Sequence, residues 1–177
     1  MAFYEGDVDV MIDAAKLQAR IAELGAEITR DYQGKDLTLV GIMKGSIFFM
    51  VDLAKAIDLP VTLELMGVSS YHGGTETTGE VRISFDLLKP MHGKHLLIVE
   101  DIIDTGLTMK FLLENLAARH PASVKVATLL EKPARAKTKV QIDYKGFVIE
   151  DKFVVGYGLD YGEKYRNLSF IGVMRTE

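Results

Sequence analysis

The segment His95-Leu-Leu-Ile-Val-Glu-Asp-Ile-Ile-Asp-Thr-Gly-Leu-Thr-Met109 restricts the fold more than any other part of the chain. Its apolar run, Leu96 to Val99, stops at two adjacent carboxylates, Glu100 and Asp101. A continuous run of that length reads as a strand buried on both faces. Beyond Thr108 the pattern turns helical, with Met109, Leu112, Leu113, Leu116 and Ala117 on one face. A strand therefore feeds an acidic loop, and the loop feeds the N-terminus of an amphipathic helix. In open α/β sheets, ligands bind at such a place, outside the carboxyl ends of the strands.

The rest of the chain repeats this alternation. Asp13 is placed to cap a helix whose apolar face is Leu17, Ile21, Leu24 and Ile28, with Gly34 near its end. Leu37 to Met43 reads as a second buried strand, Lys44-Gly45-Ser46 as a turn with Ser46 as N-cap, and Ile47 to Ile57 as a helix. Strands are expected at Val61–Val68, Val81–Phe85, Val124–Leu130, Phe147–Ile149, Phe153–Tyr157 and Phe170–Met174. Residues 69–80 hold no large aliphatic side chain and read as a mobile polar loop. Residues 131–139 are basic and irregular. The fold class is α/β, with a mostly parallel central sheet flanked by helices.

Composition narrows the function. The 177 residues carry a net charge of −4, which argues against a nucleic-acid binder that relies on bulk charge. There is no cysteine, so disulfides, thiolate metal sites and a cysteine nucleophile are excluded. The acidic N-terminus lacks the apolar run of a signal peptide, and Lys44 and Asp52 interrupt the apolar stretch Leu39–Leu53 before it reaches membrane-spanning length. A soluble cytoplasmic protein without a membrane partner is the expectation.

The acidic loop divides by chemistry. Thr105, Gly106, Leu107 and Thr108 offer N–H groups, two hydroxyls and the positive end of a helix, which suit a phosphate. The dipole adds only roughly 0.3–1 kcal/mol at an exposed site, so hydrogen bonds must carry most of the binding. Glu100 and Asp101 would repel a phosphate but suit sugar hydroxyls, or a Mg²⁺ that travels with phosphates. Asp104 stands apart and is placed to act as a general base. A ligand with a phosphate, vicinal hydroxyls and a metal is a phosphorylated ribose.

Val99-Glu-Asp-Ile-Ile-Asp-Thr-Gly-Leu-Thr108 resembles the phosphoribosyl pyrophosphate (PRPP) signature of the type I phosphoribosyltransferase family. Two further blocks extend the resemblance. Lys44-Gly45 is similar to the pyrophosphate loop of the purine enzymes of that family, in which the peptide before the lysine, here Met43–Lys44, is often cis. Lys132, with Asp151-Lys-Phe-Val-Val-Gly-Tyr-Gly-Leu-Asp-Tyr161, resembles the purine-binding part of the hypoxanthine enzymes. The matching segments run from about residue 36 to residue 174.

The resemblance implies one domain, residues 1–177, with a core at about 36–150 and a small hood from about 1–15 and 150–177. It implies that Lys132 donates to the 6-oxygen of a purine, Phe153 stacks on the ring, the Val154 backbone bonds the base edge, and Asp160 lies beside the base and coordinates Mg²⁺. Glu100 and Asp101 would share the ribose hydroxyls and the metal. Lys44, Gly45 and Arg166 would hold pyrophosphate, and Ser70 and Tyr71 would open a flexible lid that closes over it. The implied substrates are PRPP and a 6-oxopurine, in a homodimer or homotetramer. Rivals share the fold: a PRPP-sensing regulator that binds nucleic acid, a transferase with adenine, orotate or uracil as acceptor, and a transferase that prefers xanthine. Adenine offers no acceptor at the position Lys132 would read. Arg135 has no assigned role.

Overall fold

In a computed structural model, the described residues are Tyr4, 6–70 (Ser70 by its backbone alone) and 81–175. Ten of the elements form one layered unit: α1 (Ala14–Asp31), β2 (Leu37–Met43), α2 (Ile47–Ala56), β3 (Val61–Ser70), β4 (Val81–Phe85), β5 (His95–Ile103), α3 (Leu107–Ala117), β6 (Ser123–Glu131), a 3₁₀ turn (Pro133–Arg135) and β7 (Tyr144–Val148). They are preceded by β1 (Val8–Ile12) and followed by β8 (Val154–Val155) and β9 (Ile171–Met174). The main sheet has the order β4-β3-β2-β5-β6-β7, parallel throughout except for β4 at its edge. Parallel strands need crossovers, and α2 and α3 supply two of them. The β6–β7 crossover is the irregular segment from Lys132 to Asp143, whose only helix is the 3₁₀ turn.

Side chains of the central strands alternate between two cores, as the period of two requires. Leu37, Leu39, Leu97 and Val99 join α1 and α2 in one. Val40, Ile42, Leu96 and Ile98 join α3 in the other. The apolar face of α1 is buried as its spacing predicts, and the Asp13 carboxylate accepts from the Lys16 N–H at 2.8 Å. Ser46 does not cap α2 through its side chain. Its hydroxyl donates to the Ile42 carbonyl at 2.6 Å, back into the strand. No helix among the described residues is long and apolar enough to cross a membrane.

Three expectations change. β5 does not end at Val99 but continues to Ile103, so Glu100 and Asp101 are strand residues and not loop residues. The reason is the neighbour: β6 is long enough to pair through Ile103↔Glu131. Likewise β3 runs on to Ser70, because β4 pairs with it at Ser69↔Arg82 and Ser70↔Val81. Ser69 and Ser70 are thus strand residues and not loop residues, and residues 71–80, Tyr71 among them, and the Ser70 side chain lie outside the described residues. Finally, β1 has no strong sequence signal, yet it pairs antiparallel with β9, which pairs with β8, in a separate three-stranded sheet. Tyr157, next to that sheet, donates its hydroxyl to Asp52 of α2 and so ties the small sheet to the large one.

Candidate active site

The carboxyl ends of β2 and β5 open into a cleft of ~240 Å³. Gly45, Glu100, Asp101, Asp104, Thr105, Gly106, Thr108 and Arg166 line it together. Four elements thus deliver the residues that the sequence singled out, across more than 120 positions of chain. Lys44 is at its edge, joined to it through Gly45. Lys132 lines an adjoining cleft of ~440 Å³ that shares Ile103 and Asp104 with the first. Phe153, Val154 and Asp160 line neither cleft.

Glu100 is buried and Asp101 is half-buried at the floor. Burial pushes the Glu100 carboxyl well above the usual carboxylate range, and the neighbouring charge of Asp101 adds to the rise. Burial also raises Asp101, against the pull of hydrogen bonds from Glu100 and the Ile102 N–H and of the Arg166 charge. Two adjacent carboxylates that resist being charged together call for donors or a cation. Among the described residues no three His, Asp or Glu side chains are grouped to hold a metal. Asp160 is turned to Arg166, at 2.9 Å, and to the Glu163 N–H, at 2.8 Å. The acids therefore fit a divalent ion that takes its other ligands from substrate and water, and not a resident three-carboxylate site.

The turn into α3 is held by its own side chains. Asp104 accepts from the Thr105 N–H, and the Thr105 hydroxyl faces the Leu107 N–H at 3.4 Å. Gly106 is the N-cap at φ +77°, and a Cβ there would stand 2.7 Å from the Thr138 carbonyl. A left-handed residue this close to backbone has to be glycine. The first helical bond joins the Lys110 N–H to the Gly106 carbonyl, so the N–H groups of the first turn have no intrahelical acceptor, as at any helix start that binds an anion. The Lys137 and Thr138 N–H groups both bond the Thr105 carbonyl, a strap that the irregular sequence of residues 131–139 did not reveal.

Opposite the acids, the Met43–Lys44 peptide is cis. The adjoining Gly45 is clamped on both sides: its own Cβ would meet the Asp101 carboxylate at 1.7 Å, and a Cβ on Gly158 would meet the Gly45 carbonyl at 1.9 Å. Arg166 Nη1 donates to the Gly158 carbonyl at 2.7 Å, while its Nε is buried without a partner among the described residues. An orphaned guanidinium N–H beside a cleft is suited to an oxyanion. Glu163, which the sequence reading passed over, pairs with Lys44 at 2.6 Å and with Arg166 at 3.2 Å.

On the base side, Lys132 is buried, and its Nζ donates to the Lys152 carbonyl. Burial lowers its ammonium below the usual lysine range, and the Arg135 charge lowers it further. Arg135 bonds Asp151 at 2.6 Å, so it braces the segment that carries that carbonyl. Phe153 is 54% exposed, with Tyr161 edge-on at 5.7 Å. A large aromatic left that open offers a stacking face. Val154 is buried, its backbone paired to Val173 of β9.

Comparison with known proteins agrees with this geometry. Residues 11–162 match the phosphoribosyl transferase domain family. The hypoxanthine-guanine phosphoribosyltransferase of Mycobacterium tuberculosis is 49% identical over 97% of this chain and 88% of its own. That of Staphylococcus aureus is 50% identical over 96% of this chain and 94% of its own. A crystal structure of a Staphylococcus aureus hypoxanthine phosphoribosyltransferase superposes with a TM-score of 0.94 at 48% identity, covering 98% of this chain and 95% of that one. The chain belongs to the phosphoribosyltransferase family, in its hypoxanthine-guanine branch.

Proposed function

We propose that this protein joins a 6-oxopurine, hypoxanthine and also guanine, to PRPP, forming the nucleoside 5′-monophosphate and releasing pyrophosphate. The observation that carries the reading is the single cleft that gathers Glu100, Asp101, Asp104, Thr105, Gly106, Thr108 and Arg166. Thr105, Gly106, Leu107 and Thr108 bind the 5′-phosphate through backbone N–H groups and hydroxyls. Glu100 and Asp101 accept from the ribose hydroxyls, which relieves two buried carboxylates. Lys44, Gly45 and Arg166 hold the pyrophosphate. Mg²⁺ would be held by Glu100 and Asp101 together with substrate and would supply charge neutralisation for the leaving group; Asp160, paired with Arg166 in this structure, would join it only by leaving that pair.

The bond from the anomeric carbon to pyrophosphate breaks as the bond to purine N9 forms. Asp104 takes the proton from N7. Its Oδ1 is committed to the Thr105 N–H, which leaves Oδ2 for that task. Lys132 donates to the 6-oxygen, using protons other than the one given to Lys152. Phe153 stacks on the ring, the Val154 backbone bonds the base edge, and Asp160 flanks it. Ser70 and Tyr71 open the lid that keeps water from the reacting carbon.

The same reading takes the chain as one domain, residues 1–177, in the cytoplasm. It takes the assembly as a homodimer or homotetramer, for which the exposed Ile47, Phe48 and Val51 of α2 provide apolar surface. Pyrophosphate release, measured with PRPP, Mg²⁺ and each of hypoxanthine, guanine, xanthine and adenine, tests the function. Turnover with a 6-oxopurine that falls by about 10²–10⁴ in Asp104→Asn is the expected result. Tight PRPP binding without turnover on any base would shift the reading to a regulator.

A further inference from the structure

We infer that Glu163 is a displaceable internal anion that competes with pyrophosphate for Lys44 and Arg166. The inference rests on the proposed function, since it takes those two cations as the pyrophosphate ligands.

The carboxylate of Glu163 spans two elements that are far apart in sequence. Its Oε2 is 2.6 Å from Lys44 Nζ at the end of β2, and its Oε1 is 3.2 Å from Arg166 Nη2. Carboxylate and phosphate oxygens accept from the same donors in similar geometry, so one carboxylate bridging both cations imitates one end of a bound diphosphate. The Glu163 and Lys44 side chains are 65% and 64% exposed, which leaves room for the carboxylate to swing out.

The backbone does not have to follow. Glu163 sits at φ +66°, in a turn fixed by its own N–H bond to Asp160 and by the pairing of Tyr161 with Lys164. The two cations respond differently to its departure. Arg166 keeps its bonds to the Gly158 carbonyl and to Asp160. Lys44 has Glu163 as its one ion-pair partner among the described residues, so it is freed entirely. Glu163 thus costs affinity when pyrophosphate binds, and by returning to the cations it assists when pyrophosphate leaves. Its role is to tune binding and release, with no contact to the reacting atoms.

The test is titration calorimetry of Mg²⁺-pyrophosphate on the full chain, with PRPP and hypoxanthine KM measured in parallel. Exposed pairs of this kind are weak, so Glu163→Gln is expected to tighten pyrophosphate binding and lower the PRPP KM by about two- to tenfold. The hypoxanthine KM and the melting temperature should stay within error, which a merely structural role would not produce. Glu163→Ala should match Glu163→Gln and guards against a fold defect in either variant. Unchanged or weaker pyrophosphate binding in both, with unchanged melting, would overturn the inference. Lys44→Met and Arg166→Gln separate the two layers. If they weaken pyrophosphate binding while the Glu163 variants leave it alone, only this inference fails. If they leave it unchanged, the assignment of the pyrophosphate site fails as well.

Discussion

The two walls of the cleft are built on opposite principles. The acidic wall, at the end of β5, is buried, fixed by sheet pairing and hydrogen-bonded to its own backbone. The basic wall, Lys44 and Arg166, is carried on loops and neutralised by side chains that water can reach. A buried carboxylate pair is costly and cannot rearrange, so it is suited to a part of the substrate that stays in place, the ribose. Exposed ion pairs are worth little each and exchange readily, so they are suited to the part that departs, the pyrophosphate. On the proposed function, the division would place rigidity at the reacting carbon and adaptability at the leaving group.

Substitutions can break that comparison. The largest effect is expected at the turn leaving the acidic wall. Asp104→Asn should lower kcat by about 10²–10⁴ through loss of the general base, while PRPP affinity measured by calorimetry stays within a few-fold. An equal loss in both would remove Asp104 from the base role. Next comes the place where the walls touch. Gly45→Ala drives a Cβ into Asp101, and it should raise the PRPP KM by on the order of tenfold, by analogy with other overpacked sites. An unaltered KM would mean that the acidic wall yields more easily than its burial implies.

A smaller effect is expected where the base stacks. Phe153→Leu should raise the hypoxanthine KM by about two- to tenfold, as the loss of one aromatic face implies, and leave the melting temperature unchanged, since the ring is half exposed. A drop in melting temperature would make Phe153 a packing residue. The smallest effect concerns stability alone. Glu100 has a raised pKa in the fold, so at pH values between the ordinary carboxylate range and that raised value the folded protein holds more protons than the unfolded chain. Stability therefore falls as pH rises through this window and is regained on acidification toward the ordinary range. In chelator, Glu100→Gln should weaken this dependence, leaving the part due to Asp101, and raise the melting temperature at neutral pH, by about 2–4 °C per kcal/mol recovered. A wild-type protein whose melting is flat across the window would show that the pair is better solvated than its position suggests.

The acidic wall was legible in the sequence because its parts are contiguous: ten residues carry strand end, acids, base and phosphate turn. The cis Met43–Lys44 peptide was legible only through resemblance. What escaped was what depends on neighbours. The length of β5 is set by β6, and the extent of β3 by β4. Ser46 looks like a cap but bonds back to Ile42, because its backbone is already helical there. Glu163 in Gly162-Glu163-Lys164 reads as surface charge, and only the docking of its loop against β2 gives it Lys44 as a partner.

The small sheet has a consequence for how the protein is made. β1 pairs with β9, and β9 with β8, so the backbone that would read the base, at Val154, is fastened through β9 to a strand that is synthesised well before it. During translation Val8–Ile12 emerges before the strands of the large sheet, and β9, with which it pairs, emerges after them. Such long-range pairings form late. On the proposed function, the ribose and phosphate half of the site would then be in place while the purine half is still open, and closing the small sheet would complete the part that selects a base.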